Sequence, residues 1–552
     1  MHRSRSSVLP RSSSGKRRAL AHLLLCAALL PACGKRQRTE ASAQHYAQEG
    51  ADSTAMARPV PMAPDSPAPA AEPAQLATPP LLDPTASAET YKDHGRNPWI
   101  EAARDRLSTF AADVDTASYS IMRRKLTEGT LPPPASVRVE EYVNYFRYSF
   151  PSPTDGVFSV VAEAAPSPFT EGRHLVRIGV ATKAKSVTER KPMNLVFLVD
   201  TSGSMASADK LGLAKRALHI LVDNLKDGDT VALTSYAGSS EVLLSATGVA
   251  QREKILSAID SLGAGGSTAM GSGIELAYRE ASKHARPEAL SRVIVLSDGD
   301  ANVGPTSHQQ ILSLIAQHAH EGISLSTIGF GMGNYKDETM EQLANKGDGN
   351  NFYIDTIEQA RRVFQEQLGS TLEVVAKDAK LQVEFDPLLV ARYRLLGYEN
   401  RDVADRDFRN DQVDAGEIGA GHQVTAMYEV ELTQTGLAAP ASLLTVRTRY
   451  RSPLPQEASE PAREAAFPMP AVAVATSFEA ASVDFRFAFA VSAFADILRK
   501  SADSEHWSLA KVRGLAKAAA GTAEDRQEFL RLIDRALLLA PGNHPATAKL
   551  AR

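Results

Sequence analysis

Cysteine is nearly absent. The 552-residue chain has two, Cys26 and Cys33, so everything beyond Cys33 can form no internal disulfide and has to be held together by packing. Long apolar runs are as scarce. The stretch from Ala19 to Leu30 is too short to span a bilayer as a stable helix, and no second one follows, which argues against a membrane-spanning body. The glycine-rich segment Gly263-Ala-Gly265-Gly-Ser-Thr268 lacks the lysine of a phosphate loop, which argues against nucleotide binding. Positive charge is also short. The formal charge is -4, and loss of residues 1–32 with their six cations takes it to -10, which disfavours nucleic acid or an anionic membrane surface as partner.

What is present at the start is an address. Arg3, Arg5, Arg11, Lys16, Arg17 and Arg18 precede the short apolar segment without an intervening acid, the layout of a secretory signal. Leu30-Pro-Ala-Cys33-Gly then resembles a bacterial lipobox, which implies lipidation of Cys33 as the mature N-terminus; the alternative is an ordinary signal cleaved after Ala32. Gly34 at the next position points to the outer membrane, facing the periplasm, under the enterobacterial sorting rule. The expected membrane contact is through this lipid anchor only. Residues 33–105 are rich in Pro, Ala, Ser and Thr and are expected to form a disordered tether.

From residue 191 to 369, apolar β-branched runs alternate with stretches of helical period. The runs are 194–199, 230–236, 292–296, 324–330 and 351–354, a pattern that predicts a doubly wound α/β domain on a parallel sheet. Ligands of such sheets bind beyond the carboxyl ends of the strands. Asp200-Thr-Ser202-Gly-Ser204 ends the first run, Gly265-Gly-Ser-Thr268 is a glycine-rich loop, and Asp298 ends the run Val293 to Ser297. In order and spacing these elements resemble the metal-ion-dependent adhesion site, MIDAS, of the von Willebrand factor type A (VWA) domain. The resemblance implies that Asp200, Ser202, Ser204, Thr268 and Asp298 hold a hard cation, Mg²⁺ or else Mn²⁺ or Ca²⁺. Local chemistry offers a plainer reading, in which Asp200 and Ser202 only cap a helix.

Other motif matches fail at named positions. Asp298-Gly-Asp300-Ala-Asn302 starts like a calcium loop, but Val303 replaces the required glycine and Gln309 the bidentate glutamate. His308, His318 and His320 do not share a helix face and read as solvated. Asp113 and Asp115 read as a strand end and turn, with cation binding as the alternative.

Segments 109–119, 131–146, 393–401 and 421–430 resemble the flanking regions of a family of bacterial VWA lipoproteins, a resemblance covering about residues 106–500. Residues 106–190 form an N-terminal family region with strands, and 370–452 carry further strands. Strands from both flanks are expected to pair into one β-sandwich with the VWA domain inserted in it. A linker is expected over 453–477 and helices over 478–552.

The resemblance implies an envelope protein that binds a protein partner when an acidic residue of that partner completes the ion's coordination sphere. It implies no enzyme. One alternative is a metal-dependent hydrolase, but no His, Glu or Cys stands in the three loops to act as general base. The other is a structural ion, with binding through the β-sandwich.

Overall fold

The computed structural model describes residues 89–540, apart from residues 113–114, 186–188, 300–306, 332–334, 367–372, 414, 435–436, 438–440 and 454–459. The signal segment, Cys33, residues 33–88 of the expected tether, Asp113, Asp300 and Asn302 lie outside the described residues.

The chain lays down β1 (Ile100–Glu101), β2 (Leu107–Ala111), α1 (Ala117–Thr127), α2 (Val139–Tyr145), β3 (Phe158–Pro166) and β4 (Arg173–Thr182). The central domain follows with β5 (Met193–Asp200), α3 (Leu211–Asp223), β6 (Thr230–Tyr236), β7 (Ser240–Gly248), α4 (Arg252–Asp260) and α5 (Met270–Lys283). It continues through β8 (Leu290–Ser297), α6 (His308–His320), β9 (Ile323–Phe330), α7 (Asp337–Lys346), β10 (Asn351–Ile354) and α8 (Ile357–Arg361). Its sheet runs β10-β9-β8-β5-β6-β7. Period-two alternation decides which residues meet which helix layer. In β5, Leu195, Phe197 and Val199 pack with Leu218 and Leu221 of α3, while Val196 and Leu198 pack with Ile274 and Tyr278 of α5. Both faces are therefore buried, as a doubly wound sheet requires.

One edge departs from the expected all-parallel sheet. β7 pairs antiparallel with β6, because residues 237–239 are too few for a crossover and close a hairpin instead.

After the central domain come β11 (Val374–Phe385), β12 (Val390–Leu396), β13 (Ile418–Gly419), β14 (Gln423–Leu432), β15 (Ser442–Arg451) and β16 (Arg463–Pro470). Two antiparallel sheets result, β1-β12-β14-β4-β3 and β13-β11-β15-β16 with β2 also on β11. Strands from before and after the central domain are direct partners, Val180 opposite Val424 and Phe110 opposite Leu381. The insertion into a β-sandwich is thus written in strand pairing. Val176, Ile178, Leu381, Val383, Phe385 and Tyr428 fill the space between the sheets, each large apolar side chain stabilising by roughly 1.5–3 kcal/mol relative to exposure.

Two expectations about the flanks are corrected. Residues 89–105 are not tether: Glu89 pairs with Arg124 at 2.6 Å, and β1 joins the edge of the first sheet. The N-terminal region carries the expected strands and contributes α1 and α2 besides. The expected linker contains β16, which pairs with β15 along its length; an exposed edge strand tolerates the prolines that suggested a linker.

The C-terminal helices α9 (Val483–Leu498), α10 (Leu509–Ala519) and α11 (Glu524–Leu539) do not stand apart. They pack with α1 and α2, where Tyr119 stacks on Tyr145 at 3.8 Å and Phe529 meets Phe494 at 5.3 Å. Helix α1 joins the layers, because Ala117 and Ile121 enter the central-domain core while Tyr119 and Met122 enter the helical one. Asp115 adds a clamp. It accepts the Asn351 amide at 2.8 Å and pairs with Arg401 at 2.8 Å, which favours the turn reading of this residue over a cation ligand. Among the described residues no helix is long and apolar enough to cross a membrane.

Candidate metal centre

Strand β5 is buried over its whole length and delivers Asp200, itself fully buried, to the carboxyl end of the sheet. Such a carboxylate needs donors on both oxygens. Oδ1 accepts the Ser202 amide at 2.9 Å, and Oδ2 accepts the Tyr236 hydroxyl at 3.0 Å and the Ser297 hydroxyl at 2.9 Å. Burial pushes the Asp200 carboxyl above the usual aspartate range and nearby Asp298 adds to this, while the hydrogen bonds from Ser202 and Ser297 oppose it.

The capping reading fails on this geometry. Ser202 occupies the N-cap position of a 3-10 turn, Gly203–Ala206, yet makes no side-chain capping bond, and α3 starts only at Leu211. Its hydroxyl instead faces the Ser204 hydroxyl at 3.0 Å. Two oxygens on neighbouring vertices of a Mg²⁺ octahedron, each about 2.05 Å from the ion, lie about 2.9 Å apart. The serine pair therefore already has the spacing of two adjacent ligands, and the donor set of carboxylates and hydroxyls is all oxygen. On both counts the residues fit a hard cation.

The second loop is stitched to the first by backbone. The Gly265 amide donates to the Thr201 carbonyl at 2.7 Å and the Gly203 amide to the Gly266 carbonyl at 3.1 Å. Gly266 has φ +87°, and a Cβ there would come within 3.3 Å of the Gly238 amide nitrogen, so the loop is wedged against the β6–β7 turn. Thr268, half-buried, follows two residues later, just before Ala269 at the N-cap of α5. Its loop is brought to the site by these stitches.

The third loop begins at the end of β8. Ser297 accepts the Gly299 amide at 3.0 Å while donating to Asp200, which ties this loop to the first. Asp298 is fully buried, and its Oδ2 lies 3.0 Å from the ammonium of Lys210. Sequence reasoning missed three members of this arrangement: Tyr236, Ser297 and Lys210. Tyr236 had a findable signal, since it ends its strand opposite Asp200 in parallel register. Ser297 adjoins Asp298, but Lys210 carries no spacing rule that singles it out. The histidines are elsewhere: His308 bonds Gln342 and His318 pairs with Glu321 while stacking on Tyr278.

Comparison with known proteins places these residues in context. Three family models match: von Willebrand factor over residues 85–177, von Willebrand factor type A domain over residues 194–366, and the C-terminal model of the uncharacterized protein YfbK over residues 370–539. The chain is 37% identical over 472 residues to the uncharacterized protein YfbK of Escherichia coli (strain K12), covering 81% of this chain and 80% of that one. A UPF0353 protein of Mycolicibacterium gilvum (strain PYR-GCK) is 28% identical over 238 residues, 38% of this chain and 70% of the relative. Among solved structures, von Willebrand factor type A from Catenulispora acidiphila aligns with 68% of this chain and 89% of its own, at 16% identity and a TM-score of 0.40. Proximal thread matrix protein 1 from the mussel byssus, with a zinc-occupied MIDAS motif, aligns with 34% of this chain and 46% of its own, at 23% identity and a TM-score of 0.28.

Proposed function

Because the chain belongs to the family of VWA-domain proteins that includes YfbK of Escherichia coli, we propose that it is a lipid-anchored cell-envelope protein that captures a protein partner through a metal-ion-dependent adhesion site. VWA domains commonly mediate protein–protein interaction, and some do so through a bound divalent ion. Here the ligands are Asp200, Ser202, Ser204, Thr268 and Asp298, the ion is Mg²⁺ or else Mn²⁺ or Ca²⁺, and the anchor is Cys33. The observation that carries the reading is the pair of serine hydroxyls 3.0 Å apart beside a buried aspartate.

Each residue then has a task. Asp200, aimed by Tyr236 and Ser297, holds the first loop in its turn through the Ser202 amide, which presents both serine hydroxyls together. Thr268 supplies a hydroxyl from the stitched second loop. A divalent cation held mostly by neutral hydroxyls stays electron-poor and keeps a coordination position for an acidic side chain of the partner. The three loops carry no His, Glu or Cys to activate water, so the site is read as binding and not catalytic.

Affinity capture from detergent-solubilised envelope in Mg²⁺ and in EDTA tests the reading, run beside thermal melts of wild type, Thr268→Ala and Asp298→Ala. Capture that disappears in EDTA and in both variants is the expected result, with melting shifted by only a few degrees in Thr268→Ala, whereas Asp298→Ala also strips the partner from buried Lys210 and melts lower. Capture that persists in excess EDTA refutes it and moves the search to the β-sandwich. Loss of stability together with binding in Thr268→Ala marks a structural ion instead.

A further inference from the structure

Lys210 is an ammonium held inside the same constellation. It is 7% exposed, and its Nζ lies 3.0 Å from Oδ2 of Asp298, a residue read above as a metal ligand. Its placement is built from several directions. The residue stands at the N-cap of α3, with its amide on the Ser207 carbonyl at 3.1 Å and its carbonyl on the Ala214 amide at 2.8 Å. Its alkyl stem lies against Gly331, just past the end of β9, where a Cβ would come within 2.2 Å of the lysine Cγ and 2.4 Å of its Cε. Gly331 has φ +77°, and its carbonyl is held by Arg124 of α1 at 3.1 Å and by the Tyr353 hydroxyl. A cation fixed this firmly beside a ligand carboxylate acts on whatever cation the site takes up.

Its charge says how. The Lys210 ammonium stands against the Asp298 carboxylate that a metal ion would use. It repels a dication taken up there and attracts a carboxylate that joins the dication. Without Lys210, the dication would meet the aspartates unopposed, and an incoming carboxylate would lose that attraction in a buried place. We propose that Lys210 is a resident counter-cation that weakens the site for free metal ions and strengthens the metal-loaded site for a monocarboxylate ligand. Metal and acidic partner then bind cooperatively, each raising the affinity of the other by the same factor. This rests on the adhesion-site reading and adds to it a regulation, loading coupled to the partner.

The test is calorimetric titration of Mn²⁺ into the full-length chain, in chloride and in acetate at equal ionic strength, acetate serving as the carboxylate probe. Lys210→Met should bind Mn²⁺ at least about tenfold more tightly than wild type in chloride, and acetate should tighten Mn²⁺ binding more in wild type than in the variant. Lys210→Gln, which keeps an N–H donor for Asp298 and loses only the charge, should follow Lys210→Met, so a packing defect in one variant does not decide the matter. Equal or weaker Mn²⁺ binding in both variants would overturn the proposal and make Lys210 a positioning residue for Asp298, leaving the adhesion site standing. If Asp200→Ala binds Mn²⁺ as wild type does, or if no form binds it, the adhesion-site reading itself falls.

Discussion

Asp200 is the residue on which the site turns, and the sharing of its Oδ2 between two hydroxyls can be measured. Tyr236→Phe removes one donor at 3.0 Å and Ser297→Ala the other at 2.9 Å. A hydrogen bond to a charged group contributes about 1.5–3 kcal/mol. In either single variant Oδ2 keeps one hydroxyl, so Tyr236→Phe should cost about 1.5 kcal/mol, near the low end. Ser297→Ala should cost about 1 kcal/mol more, because the Gly299 amide loses its acceptor as well. In the double variant both hydroxyls are gone from a fully buried carboxylate oxygen, and a desolvation penalty of about 1–3 kcal/mol is added. The cycle should therefore be non-additive, the double variant less stable than the sum of the singles by about 1 kcal/mol or more. The assay is equilibrium unfolding of the four proteins in EDTA, repeated in Mg²⁺, where part of the loss should be recovered because a bound cation stabilises the ionised carboxylate. Additivity within about 0.5 kcal/mol would mean that the two hydroxyls do not share the load of one buried oxygen, and the account of how Asp200 is aimed would fail.

Other consequences are as concrete. Glu140 in α2 is buried beside Glu399 and Glu141, and burial first, with those neighbours adding, pushes its carboxyl up to about 7. Its folded value exceeds its unfolded one, so the stability tied to its neutral form is fully present below about pH 4.5 and is lost as pH rises to about 7. Glu140→Gln, which can still accept the Tyr398 amide, should be more stable than wild type by roughly 3 kcal/mol at pH 8 and no more stable at pH 4; equal pH slopes for the two proteins in unfolding experiments would contradict this. Asp115→Ala strips a buried acceptor from the Asn351 amide and a partner from Arg401, and should destabilise by about 3 kcal/mol, read as a lowered denaturation midpoint. Cys33→Ser should move the protein from the membrane to the soluble fraction on ultracentrifugation, and wild-type protein found soluble would sink the lipid anchor.

The central domain was legible because its strands are simple. Thr230–Tyr236, inside the sheet, and Asn351–Ile354, at a covered edge, are short, buried runs with β-branched or aromatic residues, and their expected bounds match the observed ones. β7 escaped because Ser240–Gly248 is a half-exposed edge whose alternation is broken by its irregular pairing with β6. β12 escaped for a different reason. Val390–Leu396 carries Arg392 and Arg394, and Arg394 is buried because Glu429, Asp503 and Asp496, far away in sequence, meet it at 2.5, 3.0 and 3.5 Å. A pattern of polarity cannot foresee a charge neutralised by tertiary contact. α1 has the same character, since Arg123 and Arg124 are buried through Asp355 and Glu89. At the site, the ligand candidates lie in a motif with fixed spacing, whereas Lys210 belongs to it only through the fold that lays its stem on Gly331.

The central claim is that Asp200, Ser202, Ser204, Thr268 and Asp298 form one cation site, and counting bound Mn²⁺ by electron paramagnetic resonance tests it most directly. About one ion per full-length chain is predicted, with the bound signal lost in Asp200→Ala and in the Ser202→Ala, Ser204→Ala double variant while circular dichroism stays that of the folded protein. The same bound signal in wild type and in both variants would contradict the account.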